Sequence, residues 1–139
     1  MNKLLKNYPA WPYGHDVGAL LLRLFLGLSM LLAHGMGKWD RLFGGEPIKF
    51  ADPIGVGPEV SLGLTVLAEV VCSVLLVLGL LSRWALVPLI ITMLVATFVI
   101  HAGDGFGTLE KPLLYLVGYL SLLFTGPGRF SVDGMLSKK

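Results

Sequence analysis

VGALLLRLFLGLSMLLAHGM, residues Val17–Met36, carries Arg23 and His34 as its only ionisable side chains. A helix rises 1.5 Å per residue, so about 20 apolar residues cross the ~30 Å hydrocarbon core of a bilayer. Within hydrocarbon every backbone N–H and C=O needs an internal partner, which makes a run of this kind a spanning helix. The rest of the chain follows the same pattern. Spans are expected at 17–36, 60–81, 84–101 and 109–125, with Glu69 alone interrupting the second. Pro88 lies near the start of the third, where a mild kink is tolerable. The fourth is the shortest apolar run, and Thr108 is read as its N-cap with Glu110 in the first turn.

Composition agrees with this pattern. Of 139 residues, 55% are apolar and 14% charged, and the mean hydropathy is +0.77. Soluble domains average about 25% charged residues, so this surface cannot all face water. The net charge of +2 is small and the basic residues are scattered, which argues against a nucleic-acid partner. A single cysteine, Cys72, excludes an intramolecular disulfide, a CxxC pair or a cysteine-rich metal site. No metal ligand set is assigned. The aromatic, Pro-containing N-terminal stretch separates Lys3 and Lys6 from the first apolar run and lacks a small-residue cleavage site.

With four spans both ends share a side. That side holds Lys3, Lys6, Arg83, Arg129, Lys138 and Lys139, against Lys38, Arg41, Lys49 and Lys111 on the other. The surplus of basic residues predicts cytoplasmic N and C termini. The expected fold is therefore all-α: a four-transmembrane-helix bundle forming one domain over 1–139, with a long first periplasmic loop at 37–59. The expected location is a bacterial inner membrane, with the lipid bilayer as the principal partner.

Ionisable groups at the bilayer centre each cost roughly 3 kcal/mol or more, so they carry the information about function. Arg23, Gly27, Met30, His34 and Lys38 recur in steps of three and four on one helical face. Glu69, Cys72 and Ser73 share a face of the second helix, Thr97 and His101 of the third, Tyr115 and Tyr119 of the fourth. Counting 1.5 Å per residue puts Glu69 about 14 Å and Arg23 about 20 Å below the outer surface. An Arg23–Glu69 ion pair is then within reach, either holding two helices together or serving a polar site. His34 and His101 fall at the mouth of the same seam. The candidate catalytic residues are His34, Glu69 and His101, and the candidate ligand-binding residues Arg23, Lys38, Tyr115 and Tyr119. Cys72 reads as a small core residue.

LLLRLFLGLSMLLAHGMGKW (Leu20–Trp39) resembles the opening signature of the DoxX family of small four-helix membrane proteins. IGVGPEVSLGLTVLAEVVCSVLLVLGLLSRWA (Ile54–Ala85), ITMLVATFVIHAGDG (Ile91–Gly105) and GPGRFSVD (Gly126–Asp133) continue the likeness in order and spacing. Its polar positions fall here on Arg23, His34, Lys38, Glu69, Arg83 and His101. The resemblance implies an inner-membrane oxidoreductase, or a membrane subunit of a quinone-linked redox complex acting on sulfur or thiol compounds, since relatives include a subunit of a thiosulfate:quinone oxidoreductase. The implied cofactor is a quinone, and the implied partners are a redox protein and a second copy of the chain.

An apolar ring with two carbonyls that gain protons would suit a slot lined by an acid, an imidazole and a hydroxyl. Three alternatives remain. One is a non-enzymatic partner or assembly subunit that docks a periplasmic protein through the 37–59 loop. Another is a haem protein with His34 and His101 as axial ligands. The third is a small-solute transporter, although the sequence has no paired broken-helix pattern of the kind that marks many such sites.

Overall fold

The computed structural model describes residues 11–137, and every regular element among them is a helix. Helix α1 runs unbroken over Gly14–Phe43, α2 over Pro58–Leu78 and α3 over Ser82–Ile100. Helix α4 covers Phe106–Thr125 and a short α5 covers Val132–Leu136. Three of them, α1 to α3, are long and apolar enough to cross a membrane. The 20 residues of α4 give it a length of about 30 Å. Lys3, Lys6, Lys138 and Lys139, which enter the charge count, lie outside the described residues.

The helices pack in a ring, α1 on α2 and α4, and α3 on α2 and α4. Leu26, Met30, Leu76, Leu86, Leu89, Leu116, Tyr119 and Leu122 fill the centre. Phe25, Leu32, Leu64, Trp84, Ile91, Phe98, Leu114 and Phe124 point outward and are exposed. An apolar belt on this scale suits lipid, not water.

Several boundaries differ from the sequence expectation. Helix α1 continues two turns past Met36, so Lys38 is helical and the irregular loop shrinks to 44–57. The segment MGKWDRLF is polar, yet it keeps helical spacing and packs against the start of α2. Helix α4 begins at Phe106, with Gly105 and not Thr108 at its N-cap. Helix α2 ends at Gly79, whose φ of +70° only glycine adopts at little cost. Leu80 N–H then reaches back to the Leu75 carbonyl at 2.9 Å, closing the helix end.

The end of the bundle that carries both described termini is tied together by polar groups. Arg23, 1% exposed, donates to the carbonyls of Leu76, Val77, Pro127 and Phe130 at 3.3, 3.0, 3.0 and 2.6 Å. It reaches the last carbonyls of α2, of which that of Leu76 also accepts from the Gly79 N–H at 3.1 Å. The Asp133 carboxylate accepts from the N–H groups of Leu81 and Ser82, capping α3 from a distant segment. Burial opposes its charge, but these bonds and the field of Arg23 outweigh it and hold the carboxyl below its ordinary range. Asp16 accepts from the Arg129 N–H and pairs with its side chain. At the opposite, loop end, Asp52 accepts from Val56 N–H, Gly57 N–H and Ser61 Oγ, fixing the approach to α2.

Candidate functional site

The expected Arg23–Glu69 pair does not form. Arg23 turns toward the terminal end, to the Leu76 and Val77 carbonyls. Those carbonyls lie about two turns, roughly 10 Å, along α2 from Glu69. Carbonyls at a helix C-terminus carry partial negative charge, so they hold a guanidinium without any carboxylate. Glu69 pairs instead with Lys38, whose Nζ donates to Oε2 at 2.6 Å. The Glu69 side chain is 4% exposed and that of Lys38 22%. Extension of α1 past Met36 is what brings the ammonium into reach. Gly35 allows the approach: a Cβ there would lie 2.7 Å from the Glu69 carbonyl oxygen.

The pair sits in the wall of a cavity of about 380 Å³ near the loop end. His34, Lys38, Glu69, His101 and Tyr115 all line it, joined by Met30, Met93, Ala96, Pro112, Thr108 and Lys111. The His34 and Tyr115 rings meet edge to face, with centroids 5.8 Å apart. His101 Nδ1 lies 2.7 Å from Asp104 Oδ2, which fixes the orientation of the imidazole. Tyr119 lies one turn deeper, its ring 5.9 Å from that of Tyr115. It is fully buried, and its hydroxyl has no partner among the described residues. Thr97 Oγ1, four residues before His101, is likewise buried and unpartnered. Five of the seven sequence candidates thus meet in one cavity, Tyr119 lies beneath it, and Arg23 belongs to the knot at the other end.

Three features of the site escaped the sequence reading. Lys111 enters the sequence reading only through the outer-side charge count, although its four-residue spacing from Tyr115 puts both on one face of α4. Asp104, three residues after His101, had the spacing to anchor that ring. The third feature has no visible signal in composition. Helices α1, α2 and α3 each contain a π-helical turn, at Leu31–Gly35, Leu67–Cys72 and Ala96–Ile100. These turns hold His34, Glu69 and Thr97. A π turn inserts one residue into an α-helix and re-aims the side chains around it, and such turns gather at functional sites.

A family model for DoxX matches residues 18–102, the segment that supplies Arg23, His34, Lys38, Glu69 and His101. The chain belongs to the DoxX family. This DoxX protein is similar to the inner membrane protein YqjF of Escherichia coli, with 33% identity over 89% of this chain and 95% of that one. It is similar also to the uncharacterized membrane protein Rv3486 of Mycobacterium tuberculosis, with 31% identity over 94% and 91% of the two chains. An uncharacterized protein of Haemophilus influenzae shares 30% identity over 90% of this chain and 87% of its own. No solved structure matches. Together with its three spanning helices, these likenesses make this DoxX protein a multi-pass inner-membrane protein. Lys111, Tyr115 and Tyr119, the α4 contribution to the site, lie beyond the matched segment.

Proposed function

We propose that the loop-end cavity binds a quinone head group and that the protein serves as a membrane oxidoreductase or as the quinone-binding subunit of a redox complex. The observation that carries this reading is one cavity that joins an apolar wall to an ion-paired carboxylate, an imidazole and a phenol. When bound, a quinone supplies two carbonyl oxygens that gain protons as electrons arrive from a reduced sulfur or thiol compound or a partner protein. His34 and Tyr115 offer ring N–H and O–H groups to such oxygens. Lys38 keeps Glu69 available as a proton relay. Met30, Met93 and Pro112 give the ring an apolar seat. The buried Tyr119 hydroxyl leaves one more hydrogen-bonding group beneath the cavity.

In this reading α4 is a fourth span, both termini are cytoplasmic and the cavity opens toward the periplasm. Support comes from the roughly 30 Å length of α4 and from Arg83 and Arg129 at the terminal end. Organic extraction of protein purified in native nanodiscs is expected to yield near-stoichiometric quinone, reduced by Glu69→Gln. Quinone-free protein, with Glu69→Gln cells keeping full redox activity, would overturn the proposal.

A second reading rests on the loop end itself. Trp39, Phe43, Ile54 and Val56 are exposed on a surface ordered by Asp52, which suits docking of a periplasmic protein. Loss of a co-purifying partner on replacing 44–57, with quinone retained, would favour that role.

A further inference from the structure

The charges around the cavity do not balance. Helix α1 contributes Lys38 and the His34 ring, α2 contributes Glu69, α3 leads to His101, and α4 contributes Lys111. Lys38 and Glu69 neutralise one another at 2.6 Å, and His101 is matched by Asp104 at 2.7 Å. Lys111 has no carboxylate within ion-pairing distance among the described residues. Around this positive side stand the His34 and Tyr115 rings, set perpendicular to one another, and the side chains of Met30 and Met93. Exposed lysines ordinarily face bulk water; this one lines the same cavity as a buried carboxylate whose own charge is already spent on Lys38.

We infer that the cavity selects a planar aromatic ligand bearing one negative charge, with Lys111 as the residue that receives the anionic group. This names the ligand class of the site described above and rests on that cavity being the ligand site. The ring lies between the methionines and the His34–Tyr115 pair, and the charged substituent faces α4. Planarity follows from those aromatic and thioether walls. The single charge follows from a single unmatched ammonium. A charge-assisted hydrogen bond at an exposed position is worth at most roughly a factor of ten in affinity.

Isothermal titration of the full chain in zwitterionic-lipid nanodiscs tests the inference with three probes. Lawsone is a hydroxynaphthoquinone ionised at neutral pH, menadione is its uncharged methyl counterpart, and naphthalenesulfonate is anionic but no quinone. Lawsone and naphthalenesulfonate are expected to bind up to about tenfold more tightly than menadione. Lys111→Gln should remove that advantage and leave menadione unchanged, while Lys111→Arg keeps it. Glu110→Gln, one residue away and outside the cavity lining, should change nothing. Equal affinity for lawsone and menadione, or anion binding indifferent to Lys111→Gln, overturns the charge preference while leaving the quinone reading intact. Binding of naphthalenesulfonate with neither quinone defeats the quinone reading and, because lawsone is itself a planar anion, the inference as well. Absence of binding by both anions overturns the inference. Loss of anion binding when phosphatidylglycerol is added to the nanodisc also overturns it, by making a lipid phosphate the occupant.

Discussion

Replacing Lys38 by methionine isolates the ion pair on which the site is built. The methionine stem keeps most of the volume, so the change is chiefly the loss of an ammonium 2.6 Å from Glu69 Oε2. Glu69 remains, 4% exposed at the side chain, with a charge and no partner. Removing one partner of a buried pair costs about 3–5 kcal/mol, and the 22% exposure of Lys38 puts this case at the lower end, about 3 kcal/mol. The reverse change is milder. After Glu69→Gln the lysine can swing its flexible stem toward water, for a loss of about 1 kcal/mol. The double variant has no charge to bury and should lie within about 1 kcal/mol of the parent, because a neutral, well-packed substitute for a buried pair is often tolerated. Equilibrium unfolding in bicelles of the parent, both singles and the double measures the coupling, expected at about 2 kcal/mol or more. If Lys38→Met is as stable as the parent, or Glu69→Gln costs more than Lys38→Met, the reasoning fails.

Arg23→Lys should destabilise by about 3 kcal/mol or more, since a single ammonium cannot serve the four carbonyls that the guanidinium fork reaches; protease resistance of the terminal end reports it. Gly35→Ala places a methyl 2.7 Å from the Glu69 carbonyl oxygen, and the forced separation of α1 from α2 should cost about 1–3 kcal/mol and lengthen the Lys38–Glu69 contact. Bonds from Ser61 Oγ and from the N–H groups of Gly57 and Val56 hold the Asp52 carboxyl below its ordinary range against a small opposing effect of burial. Its contribution is therefore present above the unfolded value of about 3.9 and is lost as pH falls through the lower folded value. Amide exchange at Val56 and Gly57, corrected for intrinsic rates, should stay protected at pH 7 and pH 5 and open only in stronger acid, whereas Asp52→Ala opens it at every pH.

The spanning helices were legible because hydrocarbon demands long apolar runs and few other structures meet that demand. The residues that gather at the cavity were legible for a related reason. An ionisable group in a span is costly enough to be informative, and helical spacing put His34, Glu69, His101 and Tyr115 on inward faces. Pairing was not legible. Arg23 was matched to Glu69 because sequence shows only formal charges, whereas its actual partners are backbone carbonyls at the end of α2 and in the segment after α4. Helical spacing sets Lys38 on the face of His34, but the apolar run ends at Met36, and the polar MGKWDRLF does not show that α1 continues as an amphipathic helix. The π turns leave no compositional trace, since they alter the register of a helix and not its residues.

Photolabelling with an azidoquinone, followed by peptide mass spectrometry, addresses the site most directly. Adducts confined to peptides carrying His34 and Tyr115, suppressed by excess unlabelled quinone and weakened by Glu69→Gln, are the expected result. Labelling spread along the lipid-facing residues Phe25, Ile91 and Phe124, or clustered beside Arg23, would contradict a quinone site at the loop end.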